Sequence, residues 1–139
     1  MTRRKPRCYI AGPISGAPGY RDSFTTAAAQ VEAMGYEAVN PCDITPVAHD
    51  GACPPGYHPG EGAGEHTSSA CFMRADLRAL LGCDAIFLLP GWLDSRGASV
   101  EHAVAVACGI PVAGFYACPD CGAPIVDDGH CPDCLWSAE

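Results

Sequence analysis

Two acids and two pairs of cysteines are the residues whose types and spacing could do chemistry. Glu101 is the only acid between residues 95 and 109, a stretch made mostly of small and apolar residues. It follows Ser95, Arg96 and Gly97, where a strand entering a helix would leave backbone N–H groups and the positive dipole end at the turn. That turn suits an anion such as a phosphate, with one carboxylate about a helical turn further on. The competing reading makes Glu101 a solvated acid on a helix face. Asp76 lies three residues from Met73 and four from Leu80, so it borders the apolar face of a predicted helix. An acid there is either held by a partner or used in a reaction.

Cys118-Pro-Asp-Cys121 and Cys131-Pro-Asp-Cys134 are CxxC pairs separated by nine residues. Four thiolates so paired can surround zinc tetrahedrally, and a segment this short has no other core to fold on. Residues 116–139 are therefore expected to form a structural four-cysteine zinc ribbon. A redox site would instead place its CxxC at a helix start beside a strand. The ribbon region contains Asp120, Asp127, Asp128 and Asp133 but no Lys or Arg, so it is expected to pack on its own domain or on a second subunit.

The elements that must position these residues follow a repeated cadence of helix, glycine and apolar strand. Residues 7–11 read as a strand, ending in a loop with Gly12 and Gly16 that brings backbone close to a ligand or to another loop. A helix follows from about Arg21, with Phe24, Ala27, Ala28, Val31 and Met34 on one stripe and Gly35 as its stop. Strands are expected at 37–40, 85–89 and 110–115. The helix from about Ser69 to Gly82 has Met73, Leu77, Leu80 and Leu81 as its buried stripe. For the helix carrying Glu101, the spacing of Val100, Val104, Ala107 and Cys108 points one stripe at the core. Short apolar strands alternating with helices predict an α/β fold: a parallel sheet of four to five strands with helices on both faces, Rossmann- or flavodoxin-like, spanning 1–115. Ligands bind such sheets beyond the carboxyl ends of the strands, where 12–16 and 90–97 both fall. Residues 42–69, rich in proline and glycine, read as a long insert loop covering that edge. Cys42, His49, Cys53, His58, His66 and Cys71 lack a tight ligand spacing, so a lid is preferred there to a second metal site.

Sixteen acids against eight Lys and Arg give a net charge of -8, which excludes a nucleic-acid polymer as the natural partner and leaves a small phosphate compatible. No apolar run approaches the roughly 20 residues needed to span a bilayer, so no membrane partner is expected. Ten cysteines behind a start broken by Gly12, Pro13 and Gly16 are expected to belong to a reducing cytoplasm rather than to a secreted disulfide scaffold.

Three stretches, Tyr9-Ile-Ala-Gly-Pro-Ile-Ser-Gly16, Met73-Arg-Ala-Asp-Leu-Arg-Ala-Leu-Leu-Gly-Cys-Asp84 and Ser95-Arg-Gly-Ala-Ser-Val-Glu-His-Ala103, resemble the nucleoside 2-deoxyribosyltransferase-like family. That family includes small phage and bacterial members and the 2'-deoxynucleoside 5'-phosphate N-hydrolases. The resemblance spans most of residues 8–115 and leaves out the ribbon. It implies that Glu101 attacks the anomeric carbon and that Asp76 orients or protonates the substrate. It further implies that Ser95 and Gly97 hold a 5'-phosphate and that Gly12, Ile14 and Gly16 line the nucleoside pocket. Tyr9 matches a strand aromatic whose role differs between branches, and Arg96 enters only because it lies inside the phosphate turn. The expected activity is cleavage of the base–sugar bond of a 2'-deoxynucleoside 5'-monophosphate. The alternatives are a deoxyribosyltransferase, a nucleotide-binding sponge or sensor using the same pocket, and an assembly protein with a vestigial pocket. A homo-oligomer of at least two copies and no organic cofactor are implied as well.

Overall fold

The computed structural model describes residues 4–14, 19–44, 69–118, 121 and 123. Gly16, most of the 42–69 insert, Cys131 and Cys134 lie outside the described residues, as does most of the expected ribbon. The element order is β1 (Arg7–Ala11), α1 (Tyr20–Ala33), β2 (Glu37–Val39), a 3-10 turn (Pro41–Asp43), α2 (Ser69–Leu81), β3 (Ala85–Leu88), a second 3-10 turn (Trp92–Asp94), α3 (Arg96–Ala107) and β4 (Val112–Phe115).

The four strands pair in the order β2-β1-β3-β4, all parallel, so the α/β reading with a four-stranded sheet holds. Side-chain alternation along β1 divides the core. Cys8 and Ile10 point to one face, where Phe24, Ala27 and Val31 of α1 cover them together with Ala85 and Phe87 of β3. Tyr9 and Ala11 point to the other, packed with Ile86 and Leu88 and with Leu80 of α2 and Ala98 and Ala105 of α3. The chain steps outward from β1 to β2 and then crosses to β3 on the other side. The switch point, where such sheets open a crevice, therefore lies between the carboxyl ends of β1 and β3.

Three stripe expectations are corrected. Met34, the C-cap of α1, and Leu81, the last residue of α2, are largely exposed, at 47% and 56%. On α3 the stripe of Val100, Val104, Ala107 and Cys108 is not the buried one: Val100, Ala107 and Cys108 are exposed. Ala98, Glu101 and Ala105 take the buried face instead. The helix is apolar on nearly every side, so hydrophobic spacing could not orient it. Size did, since alanines let the helix approach the sheet closely. The helix also starts earlier than expected. Ser95 is its N-cap, its Oγ accepting from the Ala98 N–H at 3.2 Å, so Arg96 and Gly97 belong to the first helical turn.

Gly12 is fixed by packing. The Leu89 N–H donates to the Ala11 carbonyl at 2.9 Å, which holds the two strand ends together. A Cβ at position 12 would stand 2.6 Å from Leu89 Cβ, an atom that cannot swing aside. Of the two partners expected for this loop, the one it meets is another loop, at Leu89. Gly12→Ala should therefore lower stability by about 1–3 kcal/mol. Urea unfolding with an unchanged midpoint would contradict this contact.

Candidate active site

Tyr9 and Glu101 meet at the centre of the site. The parallel pairing of β1 with β3 fixes Tyr9 opposite Ile86, and its phenol rises between the sheet and α3. Its O–H donates to Glu101 Oε2 at 2.7 Å, joining residues 92 positions apart in the chain. Both are buried, Tyr9 completely and Glu101 to 5% exposure. Ninety-degree rotation of α3 would break this bond, so the alanines that set the helix's orientation also aim the carboxylate.

Burial governs the electrostatics. Loss of water pushes the Glu101 carboxyl up to about 8; the Tyr9 hydrogen bond favours the ionised form and works against this, while the charge of Asp76 adds to it. Asp76 is raised to about 7, again by burial. Its Oδ1 is buried and has no hydrogen-bond partner among the described residues. Tyr9 is held far above the usual phenol range by burial first, then by the charges of Glu101 and Asp76. The three groups thus form one coupled cluster in which at least one carboxyl is protonated near neutrality.

Around this cluster the carboxyl ends of the strands supply further groups. Ser95, Arg96 and Gly97 lie about 6–9 Å along the helix axis from Glu101. Ser99 Oγ donates to the carbonyls of Trp92 and Leu93, tying the preceding turn to the helix. Arg96 is exposed on the first turn, and a Cβ at Gly97 would meet Met73 Cε at 3.5 Å, an ordinary van der Waals contact between α3 and α2. Ile14 packs instead against the α1 side of the sheet, away from Tyr9.

Sequence reasoning missed two features. Cys42, weighed only as a metal ligand, sits in the 3-10 turn at the carboxyl end of β2. Burial raises its thiol, and Asp76 is near enough that its charge contributes. Trp92 and His102 lie with ring centroids 4.5 Å apart at 54°, closing the turn over α3. The aromatic in the turn followed by a histidine in the helix was the available signal for that contact. Among the described residues no group of three or more His, Cys, Asp or Glu could hold a metal ion, and no helix is long and apolar enough to cross a membrane. At the start of the expected ribbon, the Cys118 N–H donates to the Ala123 carbonyl at 2.8 Å.

The family model described as Domain of unknown function (DUF4406) matches residues 6–114. No curated protein and no solved structure matches the chain.

Proposed function

The chain belongs to the DUF4406 family, and on that premise we propose that it is an N-glycosidase acting on 2'-deoxynucleoside 5'-monophosphates. The observation that carries the reading is the buried Glu101 carboxyl, hydrogen-bonded by Tyr9, at the switch point of the sheet beside Asp76. The likeness of the three quoted stretches to nucleoside 2-deoxyribosyltransferase-like proteins supports it, and all three lie within the matched residues.

In this reading the 5'-phosphate sits at the first turn of α3, near Ser95, Arg96 and Gly97. Gly12, directly after β1, stands at the other strand end beside the crevice, while Ile14 packs toward α1. As the bond between base and anomeric carbon breaks, the base leaves with the electron pair and Asp76 supplies its proton. The Glu101 carboxylate stabilises the positive charge growing on the sugar and closes on the anomeric carbon. Water then attacks the anomeric carbon of the resulting ester, giving its proton to Asp76 and releasing the sugar phosphate, so that Glu101 returns to its carboxylate and Asp76 to its acid form. If a second base took that water's place, the same intermediate would serve a transferase.

The reaction requires Glu101 ionised and Asp76 protonated. Burial raises both carboxyls, so the form with one ionised and one protonated is populated near and just above neutrality. The pH profile of kcat/KM should therefore be bell-shaped, with its maximum between about 7 and 8. A rate still rising at pH 9.5, or a maximum below pH 6, would contradict these assignments.

The deep burial of Glu101 favours one second reading, retention of a nucleotide without turnover. Incubation with a panel of deoxynucleotides and nucleosides, followed by chromatography for free base, separates the two. Free base supports the enzyme; tightly bound, intact nucleotide supports the sponge or sensor. The proposal includes a homo-oligomer; Val100 and Val106 are exposed on different sides of α3. It also includes a structural zinc ion held by Cys118, Cys121, Cys131 and Cys134, which would fold the C-terminal segment and take no part in the reaction.

A further inference from the structure

The turn that carries the chain from β3 into α3 hangs on Trp92. Gly91 enters the left-handed region at φ +83°, and the Trp92 N–H that follows donates to the Leu89 carbonyl at 3.2 Å. The Trp92 carbonyl then accepts twice, from the Ser95 N–H at 3.2 Å and from Ser99 Oγ at 3.2 Å. Ser99 and His102 stand three positions apart on α3 and share one flank of it. The His102 ring meets the Trp92 ring with centroids 4.5 Å apart. The helix thus holds Trp92 by its backbone and by its side chain. Leu93 and Asp94, which follow, are exposed, so Trp92 is what anchors the turn. Ser95 in turn accepts from the Ala98 N–H through Oγ and from the Ser99 N–H through its carbonyl. Among the described residues the N–H groups of Arg96 and Gly97 have no acceptor, and the Arg96 side chain is exposed beside them.

We propose that His102, by bracing Trp92, is a positioning residue for the 5'-phosphate, so that its ring sets the preference for deoxynucleotides over deoxynucleosides. The inference rests on the nucleotide reading above. A phosphate at the start of α3 needs the free N–H groups and the Arg96 guanidinium at fixed places, and a displacement of about 1 Å is costly there. The line of support is continuous: His102 ring, Trp92 ring, Trp92 carbonyl, Ser95 N–H, first turn of α3. Glu101 and His102 are neighbours in the chain but point about 100° apart around the helix. Glu101 meets Tyr9 and His102 meets Trp92, so the brace and the reacting carboxylate have separate contacts.

The test compares base release from a deoxynucleoside 5'-monophosphate and from the same deoxynucleoside, using the full chain as parent, His102→Ala and His102→Phe. Amide hydrogen exchange at residues 95–98 is followed in the same proteins. His102→Ala is expected to raise KM for the monophosphate about tenfold with kcat changed by less than about twofold. It should leave kcat/KM for the deoxynucleoside within about twofold of the parent and speed exchange at Ser95. His102→Phe keeps a flat ring against Trp92 and should restore the parent's preference. If the parent binds without turnover, Kd from calorimetry replaces KM, with the same ratios expected. An equal loss on both substrates would place the effect on Glu101 and overturn the assignment. Exchange at Ser95 unmoved in His102→Ala, or His102→Phe behaving as His102→Ala does, would overturn the ring contact as the brace. A parent that cleaves both substrates equally well would overturn the selection while leaving base–sugar cleavage intact. A parent that neither cleaves nor binds either one would overturn both.

Discussion

Glu101→Gln is expected to lower base release by about a thousandfold or more while leaving the chain folded. The amide keeps the size of the carboxyl and still offers an oxygen to the Tyr9 O–H, so the 2.7 Å contact survives in kind. It cannot close on the anomeric carbon, and it carries no negative charge to meet the positive charge growing there. If Glu101 served only to fill the space between Tyr9 and α3, the same substitution would leave the rate within a fewfold of the parent. Chromatographic measurement of free base under saturating deoxynucleotide distinguishes the two.

The second large effect concerns stability against pH. Glu101 rises from 4.5 to about 8 on folding and Asp76 from 3.8 to about 7, both because burial disfavours their charged forms. Between the unfolded and folded values the folded chain binds more protons than the unfolded one, so stability falls as pH rises. The contribution is complete below about pH 4 and is lost by about pH 8. For Glu101, 5% exposed, the loss is on the order of 4 kcal/mol. Urea midpoints measured from pH 5 to pH 9 should decline, most steeply between about 5 and 7, and level off above about 8. Glu101→Gln should flatten most of that decline and exceed the parent in stability at pH 8.5. A midpoint constant or rising over this range would mean that the carboxyl is hydrated and that the pocket is open to water.

These two effects pull in opposite directions, a pattern common where a group needed for chemistry is held in a poor solvent. The folded chain keeps an acid in its core at a cost in stability, and Tyr9 offsets only part of that cost. The unpartnered Asp76 Oδ1 belongs to the same pattern, since a purely structural acid at that depth would ordinarily have found a donor.

Much of the scaffold was legible because strand side chains alternate. The run Arg7-Cys-Tyr-Ile-Ala11 is apolar on both faces, which only a strand covered on both sides requires, and β1 is central in the sheet. Phe24, Ala27 and Val31 likewise marked the inner face of α1. Orientation failed where composition carried no contrast. In α3, valines and alanines occur all round the helix, and the choice of Ala98, Glu101 and Ala105 as the buried face came from how closely the helix approaches the sheet.

The site was legible only in pieces. Glu101 beside a turn and Asp76 beside an apolar stripe each admitted a solvated alternative, and nothing local in the sequence pointed to a hydrogen bond across 92 positions. That contact depends on strand register and helix rotation together. Resemblance named Tyr9 and Glu101 without placing them in contact. The two hydrogen bonds between the Gln30 side chain and the Ala117 backbone were not legible at all, because a glutamine in a helix gives no hint of whose backbone it will meet.

The most direct test of the central claim is the mass of the chain acid-quenched during turnover of a deoxynucleoside monophosphate, followed by peptide mapping. The account predicts a fraction of the protein carrying one deoxyribose phosphate, located on Glu101 and missing from Glu101→Gln. Free base produced with no adduct on the chain at any quench time, or an adduct on another residue, would contradict it.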